Sequence, residues 1–432
     1  MRVVVLVAVL SACRPDPSPE AGAGSGTTDR VKSEREPGIH IGATAAAATA
    51  APSKANGLVE GATPLRPHHE ENVVDCPAKL ADGLDDEGRA QALLDQANKE
   101  IEHAGYAAAW TCADRAADLS PQSVEAHHLR GVALAALGRD GEAQTAYSLA
   151  LAIDPDDPET LRAVADFYIN GKGERGRDAL RLGLELAQRG SRRALARRKR
   201  NPPLAADLAV LEGQALNDLG RSDEALERID VGLHIAPGRG DALHEKGVAL
   251  FNLSRFAEAQ AVLAKAVAIQ PDDAYTHQML GLVLEQLGET KQADEELTRA
   301  VQLAPTELTS PVIITQPDFQ KEVDHVIATL PEERKKHVQA IKVEVTDLPD
   351  PVDLKAVTPP FPPTILGLYR GPVGRTPLPG DDPSSIVLYR KNLGRAVKTR
   401  SELSEQIRDT LLHEIGHLEG LDEDDLRRRC ME

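Results

Sequence analysis

The chain has 432 residues, of which 68 are acidic and 50 are basic, so its net charge is −18. An acidic surface repels the phosphate backbone of nucleic acids, and we expect no nucleic-acid partner for the whole chain. The length predicts more than one domain, and an aromatic content of 3% favours helices over a β-sandwich or barrel.

The N-terminus has the order of an export signal. A charged start precedes the apolar run Val3 to Leu10, and small residues then lead to Cys13. This order resembles a bacterial lipobox. The resemblance implies a signal peptide at 1–12, a lipid anchor on Cys13 and a place in the cell envelope, on the periplasmic face of the outer membrane in a Gram-negative cell. The alternative is a short hydrophobic start with no export role, because the apolar run is short for a signal.

Residues 13–75 are predicted to form a disordered tether between this anchor and the folded domains. They are rich in alanine, glycine, serine, proline and glutamate, a composition that cannot bury a core. As a flexible coil, the tether would reach about 45 Å.

Three cysteines follow Cys13 in the sequence, namely Cys76, Cys112 and Cys430. In an exported chain, a disulfide between Cys76 and Cys112 would fasten the end of the tether to the first repeat. The alternative is three thiols without a covalent partner.

Residues 76–307 contain a repeat of 34 residues. Small residues and prolines recur at this spacing, which places them at matching positions of successive helical hairpins: Gly213, Gly247 and Gly281; Ala225, Ala259 and Ala293; Pro237, Pro271 and Pro305. Gly131, Ala143 and Pro155 keep the same offsets. These segments resemble tetratricopeptide repeats, at about 90–123, 124–157, 158–205, 206–239, 240–273 and 274–307.

A tetratricopeptide hairpin buries its apolar face only by stacking on its neighbours, so the resemblance implies an all-α solenoid with a concave face. We expect that face to bind a protein or peptide; the alternative is a solenoid that serves only as a spacer. The third repeat contains an insertion, 190–203, with a basic run from Arg192 to Arg200. Either this run is a solvated loop, or it binds phosphate, anionic lipid or an acidic partner.

The last region, 308–432, contains a His-Glu-x-x-His motif near its end. Its histidines, His413 and His417, lie about 40° apart on one helix face, where both can bind one Zn²⁺ ion. Glu414 lies about 60° from this pair, in a position to act as general base towards a metal-bound water. Gly420 is predicted to end the helix. The alternative is a solvated amphipathic helix, but a stripe at every fourth residue predicts a buried face: Leu403, Ile407, Leu411 and Ile415.

The turn after Gly420 brings acidic side chains back towards the histidines. By spacing, Glu423 is the predicted third ligand, with Asp422 and Asp424 as alternates.

Several segments of 308–432 resemble, in order, the small zincin-like metallopeptidases of bacteria. They are the helix Phe319 to Ala328, the turn Leu330 to Glu333, the alternating strand Ile341 to Val345, the segment Ile365 to Gly371, the strand Ile386 to Arg390, and the helix with its acidic tail. The resemblance implies a small α+β domain, zinc and peptide hydrolysis. It also makes Ile386, Val387, Leu388, Tyr389 and Arg390 the candidate substrate strand, because the strand before the active helix of a zincin is commonly an edge. Leu418 and Glu419 depart from the family pattern.

The preferred hypothesis is therefore a multidomain, membrane-anchored zinc metallopeptidase whose solenoid binds or positions a protein partner. Two non-enzymatic alternatives remain. One is an adaptor with a degenerate or structural zinc domain; the other is an envelope scaffold in which only the repeats act.

Overall fold

The computed structural model describes residues 74–171, 176–196, 201–371, 384–421 and 425–426. Helices fill the repeat region, and successive helices pack against each other as hairpins. They are α1 (Asp86–Glu102), α2 (Tyr106–Leu119), α3 (Val124–Ala136), α4 (Asp140–Ile153), α5 (Pro158–Asn170), α6 (Arg177–Ala194), α7 (Pro202–Asp218), α8 (Ser222–Ile235), α9 (Gly240–Asn252), α10 (Phe256–Ile269), α11 (Ala274–Gln286) and α12 (Thr290–Leu303).

The periodic glycines allow the two helices of a hairpin to approach closely. A Cβ added to Gly213 would lie 2.3 Å from Cγ1 of Ile229, and one added to Gly247 would lie 2.4 Å from Cγ of Leu263. Because these distances are far shorter than a van der Waals contact, the 34-residue glycine period is a packing requirement of the hairpin.

First helices of successive repeats also contact one another: α1 with α3, α3 with α5, α5 with α7, α7 with α9, and α9 with α11. This row of first helices forms the inner layer of the solenoid. The concave surface predicted from the sequence is the face of these first helices that lies opposite the second helices.

The C-terminal domain combines a small sheet with helices. Its elements are α13 (Gln316–Thr329), α14 (Glu332–Gln339), β1 (Lys342–Thr346), α15 (Pro351–Leu354), β2 (Gly367–Arg370), β3 (Ser385–Tyr389), α16 (Arg390–Ala396) and α17 (Arg400–Leu418). The strand order is β1-β3-β2, with β3 parallel to β1 and antiparallel to β2.

One apolar core joins the sheet to the long helices of this domain. Ile386 and Leu388 of β3 point into it, as do Phe319 and Val323 of α13. The four residues of the predicted α17 stripe lie in the same core and are at most 1% exposed: Leu403, Ile407, Leu411 and Ile415. The helix face beside the motif histidines is therefore buried, as the four-residue spacing predicted.

Within the described ranges, no helix is both long enough and apolar enough to cross a lipid bilayer.

Candidate functional site

Helix α17 carries the His-Glu-x-x-His motif and has defined ends. At its N-terminus, the Thr399 hydroxyl accepts a hydrogen bond from the Glu402 amide at 3.2 Å, and the Glu402 carboxylate accepts one from the Lys398 amide at 2.7 Å. This reciprocal capping satisfies amides that the helix itself leaves unpaired. At the other end, Gly420 has φ of 88°, the left-handed conformation predicted for the residue that ends the helix.

The two histidines of the motif face each other one helical turn apart. Nε2 of His413 and Nε2 of His417 are 3.1 Å apart, and the ring planes are inclined at 86°. Two nitrogens bound at the usual length to one tetrahedral Zn²⁺ ion would lie about 3.3 Å apart. The pair therefore fits a single zinc ion with little change of side-chain position.

The second nitrogen of His417 has a partner that suits this role. Its Nδ1 lies 3.1 Å from the carbonyl oxygen of Leu421, which can only accept a hydrogen bond. Donation from Nδ1 leaves the lone pair on Nε2, the atom that faces His413. Metal-binding histidines commonly have this arrangement, because the outer hydrogen bond fixes both the tautomer and the ring orientation.

Glu414 lies between the histidines in sequence and is 6% exposed. Its Oε2 accepts a hydrogen bond of 2.7 Å from the backbone amide of Tyr369 in β2. Strand β2 comes this close because Gly367 has no side chain: an added Cβ would lie 2.7 Å from Cγ2 of Thr410 and 3.2 Å from Oε1 of Glu414. The structure thus orients the proposed general base through a strand amide.

The candidate third ligands lie outside the described residues: Glu423, Asp422 and Asp424. Among the side chains that the structure describes, no group of three or more histidine, cysteine, aspartate or glutamate residues is arranged to hold a metal ion. The described part of the site therefore consists of two histidines and the carboxylate of Glu414.

The substrate-strand prediction is wrong for Ile386 to Arg390. Strand β3 is the central strand, with β1 on one side and β2 on the other, so its backbone groups are already paired. Ile386, Val387, Leu388 and Tyr389 are fully buried, and Arg390 begins α16. Position just before the active helix does not decide which strand forms an edge. Within the described part of the sheet, β2 is an edge strand, and it contacts α17.

The departure from the family pattern at Glu419 has a structural explanation. The Glu419 carboxylate forms an ion pair with Arg334 and lies 3.0 Å from Nδ1 of His337, both on α14. A charged residue at this position therefore fastens α14 to the end of α17. This pairing has no local sequence signal, because the partners are about eighty positions apart.

Of the cysteines, Cys76 and Cys112 form a disulfide, whereas Cys13 and Cys430 lie outside the described residues. The same segment is held by a hydrogen bond of 2.7 Å from the Thr111 hydroxyl to the carbonyl of Val74. In the basic insertion, Arg193 forms an ion pair of 2.5 Å with Asp156, and residues 197–200 are not among those described.

Several inner-layer residues of the solenoid are engaged within the chain. Phe251 is 2% exposed, and the amide of Gln214 donates to Asn170 at 2.7 Å. The carboxylate of Glu285 is bound by Lys391 and Arg395 of α16. The last repeat therefore uses part of its inner surface to hold the C-terminal domain.

Comparison with protein families assigns both regions. Residues 338–431 match the zincin-like metallopeptidase family, and residues 124–157 and 244–307 match tetratricopeptide repeats. The chain carries a zincin-like metallopeptidase domain. This zincin-like domain follows a tetratricopeptide solenoid, and both predictions of fold are confirmed. None of the curated proteins matches the chain.

Three solved structures are similar to part of this chain. PilF of Pseudomonas aeruginosa is 14% identical over 55% of this chain and 99% of its own, with a TM-score of 0.44. YrrB, described as having an unusual peptide-binding site, is 16% identical over 45% of this chain and 93% of its own, with a TM-score of 0.34. TTC0263 of Thermus thermophilus is 21% identical over 45% of this chain and 99% of its own, with a TM-score of 0.37.

Proposed function

We propose that this protein is a zinc-dependent metallopeptidase, anchored to a membrane through Cys13, whose solenoid binds or positions a protein partner. The facing Nε2 atoms of His413 and His417, 3.1 Å apart, are the main support for the peptidase activity. The zincin-like domain and the repeats support the general class. Glu423, or one of its acidic neighbours, would complete the ligand set.

Zinc bound between these histidines would supply Lewis acidity and an acidified water for attack on an amide. Glu414 would act as the general base that takes a proton from the attacking water and later delivers it to the leaving amine. The Tyr369 amide holds one oxygen of the Glu414 carboxylate and so fixes its direction during both proton transfers. The outer hydrogen bond of His417 keeps its ring in the ligating orientation.

Edge strand β2 is the proposed site of substrate pairing. It lies against α17, and because Glu414 holds its Tyr369 amide, a peptide would pair with the other outward backbone groups of this strand. An extended peptide that adds to a sheet edge gains main-chain hydrogen bonds with little sequence preference. The scissile peptide would therefore lie beside β2, not beside β3.

The test of the peptidase is metal content together with cleavage of an unfolded protein such as casein. The full chain should bind about one zinc per molecule. Glu414→Gln should keep the zinc and lose cleavage, whereas a variant with both His413→Ala and His417→Ala should lose both. A folded protein that takes up no zinc contradicts the proposal. Zinc retained without cleavage by the native chain would instead favour the adaptor with a structural metal.

The proposed anchor has a separate test. Cys13→Ser should move the protein from the membrane fraction to the soluble fraction and abolish labelling by radioactive palmitate in a bacterial host. Unchanged fractionation would remove the anchor from the proposal without touching the peptidase.

A further inference from the structure

The inner layer of the solenoid contains two neighbouring carboxylates between its fourth and fifth repeats. Asp218 is the last residue of α7, and Glu245 lies on α9, the first helix of the next repeat. Asn217 joins the two helices: its Nδ2 donates to the Glu245 backbone carbonyl and to Glu245 Oε2, both at 3.1 Å. The carboxylate of Glu245 therefore accepts a hydrogen bond from a neutral amide.

A buried acceptor accompanies these carboxylates. Asn217 is 4% exposed, and within the described structure its Oδ1 has no hydrogen-bond donor. The amide orientation is fixed, because Nδ2 and not Oδ1 must face the two oxygens of Glu245. An unpaired buried carbonyl is costly, and such a group in a native protein commonly marks a missing ligand or water.

Among the described side chains, no lysine or arginine forms an ion pair with Asp218 or Glu245. Asp241, one turn before Glu245, is already bound by Arg239, which also pairs with Asp207. Nδ1 of His244 lies 2.9 Å from the Thr276 hydroxyl. Burial raises the pKa of Asp218 to about 7. Burial also raises the pKa of Glu245 to about 7, an effect that His244 opposes and that Asp218 and Asp241 strengthen.

The last repeat contains an inner-layer carboxylate with basic partners. Glu285 is at the position equivalent to Asn217, two repeat lengths further along the chain. Its buried carboxylate accepts a hydrogen bond of 2.9 Å from Nζ of Lys391 and another from Arg395. Basic side chains from a separate segment of this chain thus satisfy an inner-layer carboxylate.

We propose that Asp218, Glu245 and the carbonyl oxygen of Asn217 form a subsite for a lysine or arginine side chain of an extended polypeptide. This inference rests on the proposed role of the solenoid as a binding surface, not on the peptidase chemistry. A lysine ammonium donates three hydrogen bonds and accepts none, which matches three acceptors that include two acids. The subsite would make the solenoid select basic segments.

The experiment uses the full chain with Glu414→Gln, so that cleavage does not affect the measurement. The probe is a fluorescein-labelled peptide in which lysine alternates with alanine, and binding is followed by fluorescence anisotropy. Asp218→Asn and Glu245→Gln should each weaken binding about tenfold, or about 1.4 kcal/mol, because each removes one negative charge that faces the bound cation. The same peptide with acetyl-lysine in place of lysine should bind the parent chain at least as weakly as the unmodified peptide binds the two variants.

A matched control is Glu258→Gln, which removes an exposed carboxylate of α10 that pairs with Arg255. This variant should bind the probe like the parent. Affinity should also rise about tenfold from near pH 6 to near pH 8, because Asp218 and Glu245 ionise in this interval while lysine stays charged. Circular dichroism checks that each variant is folded.

Equal binding by the parent, Asp218→Asn and Glu245→Gln would overturn the subsite, as would equal binding of the acetylated peptide. Zinc content and Glu414-dependent cleavage are measured separately on the native chain. Failure of the subsite therefore leaves the peptidase proposal standing, and failure of the peptidase leaves the binding result interpretable.

Discussion

The carboxylate of Glu285 in α11 accepts a hydrogen bond of 2.9 Å from Nζ of Lys391 in α16. Arg395, one turn further along α16, pairs with the other oxygen of the same carboxylate. The side chain of Glu285 is 3% exposed. Apolar contacts add to this link, because Leu354 of α15 is fully buried in a cluster with Phe251 and other solenoid residues. Two contacts therefore hold the zincin-like domain against the solenoid. One is the pair of ionic contacts made by buried Glu285, and the other is the apolar packing of Leu354.

Glu285→Gln should weaken this link between the domains. The variant leaves Lys391 and Arg395 against a neutral amide, and breaking a buried ion pair by removing one partner commonly costs about 3 kcal/mol. Calorimetry should show the melting temperature falling and the zincin-like domain unfolding before the solenoid. Glu258→Gln is the matched control and should melt like the native chain. A native-like melting curve for Glu285→Gln would show that the apolar packing of Leu354 is sufficient to hold the two domains together.

Much of the fold was predictable because it follows from residue spacings that repeat over short stretches of the sequence. The 34-residue spacing of glycine, alanine and proline reflects hairpin contacts that recur in every repeat, such as Gly213 against Ile229. The buried stripe of α17 and its end at Gly420 were predictable for the same reason, since helix periodicity and capping are local.

The parts that sequence did not predict depend on residues that are distant in the chain. Pairing of β3 on both sides is decided by which segments reach it, so the substrate strand was misplaced. The amide of Tyr369 that holds Glu414, and the basic residues that hold Glu285, leave no periodic signal. A glycine just before the Leu-Tyr pair of β2 was the one available hint of close approach to α17.

Gly367→Ala tests that close approach. The added methyl group would meet Cγ2 of Thr410 and press on Glu414, so β2 must move away from α17. Overpacking of this kind commonly costs about 1–3 kcal/mol. We expect a lower free energy of unfolding and a peptidase rate reduced about tenfold, because Tyr369 no longer orients the general base. Urea denaturation and casein cleavage measure the two effects. Zinc content should stay unchanged, and native activity in this variant would argue against the positioning role of β2.

Removal of the disulfide should destabilise the first repeats. The two cysteines are separated by 36 positions, and closing a loop of this length stabilises the folded state by about 4 kcal/mol in the chain-entropy model. The double variant Cys76→Ser, Cys112→Ser should therefore unfold at lower urea concentration. The single tryptophan, Trp110, is two residues from Cys112 and reports this transition by fluorescence. Reducing agent should lower the midpoint of the native chain but not that of the double variant; equal midpoints throughout would contradict a structural role for the bond.

Acidic residues with raised pKa values should make the stability of the solenoid depend on pH. Burial raises the pKa of Asp218 from its ordinary value of 3.8 to about 7 in the folded chain, so the unfolded chain loses its proton first as pH rises. The contribution of Asp218 to the free energy of unfolding is therefore greatest below about pH 4. It falls as pH rises towards 7 and is lowest above pH 7.

Asp218→Asn removes this penalty, because an amide has no charge to bury. The free energy of unfolding of this variant should exceed that of the native chain by about 2 kcal/mol near pH 8 and should equal it near pH 4. The value at pH 8 is discounted for the partial exposure of the Asp218 side chain. Urea denaturation at the two pH values measures the difference. Glu258→Gln, on the outer surface, should show no such pH-dependent gain. If Asp218→Asn were less stable than the native chain near pH 8, the carboxylate would be neutralised within the folded solenoid, and the same result would argue against a cation subsite there.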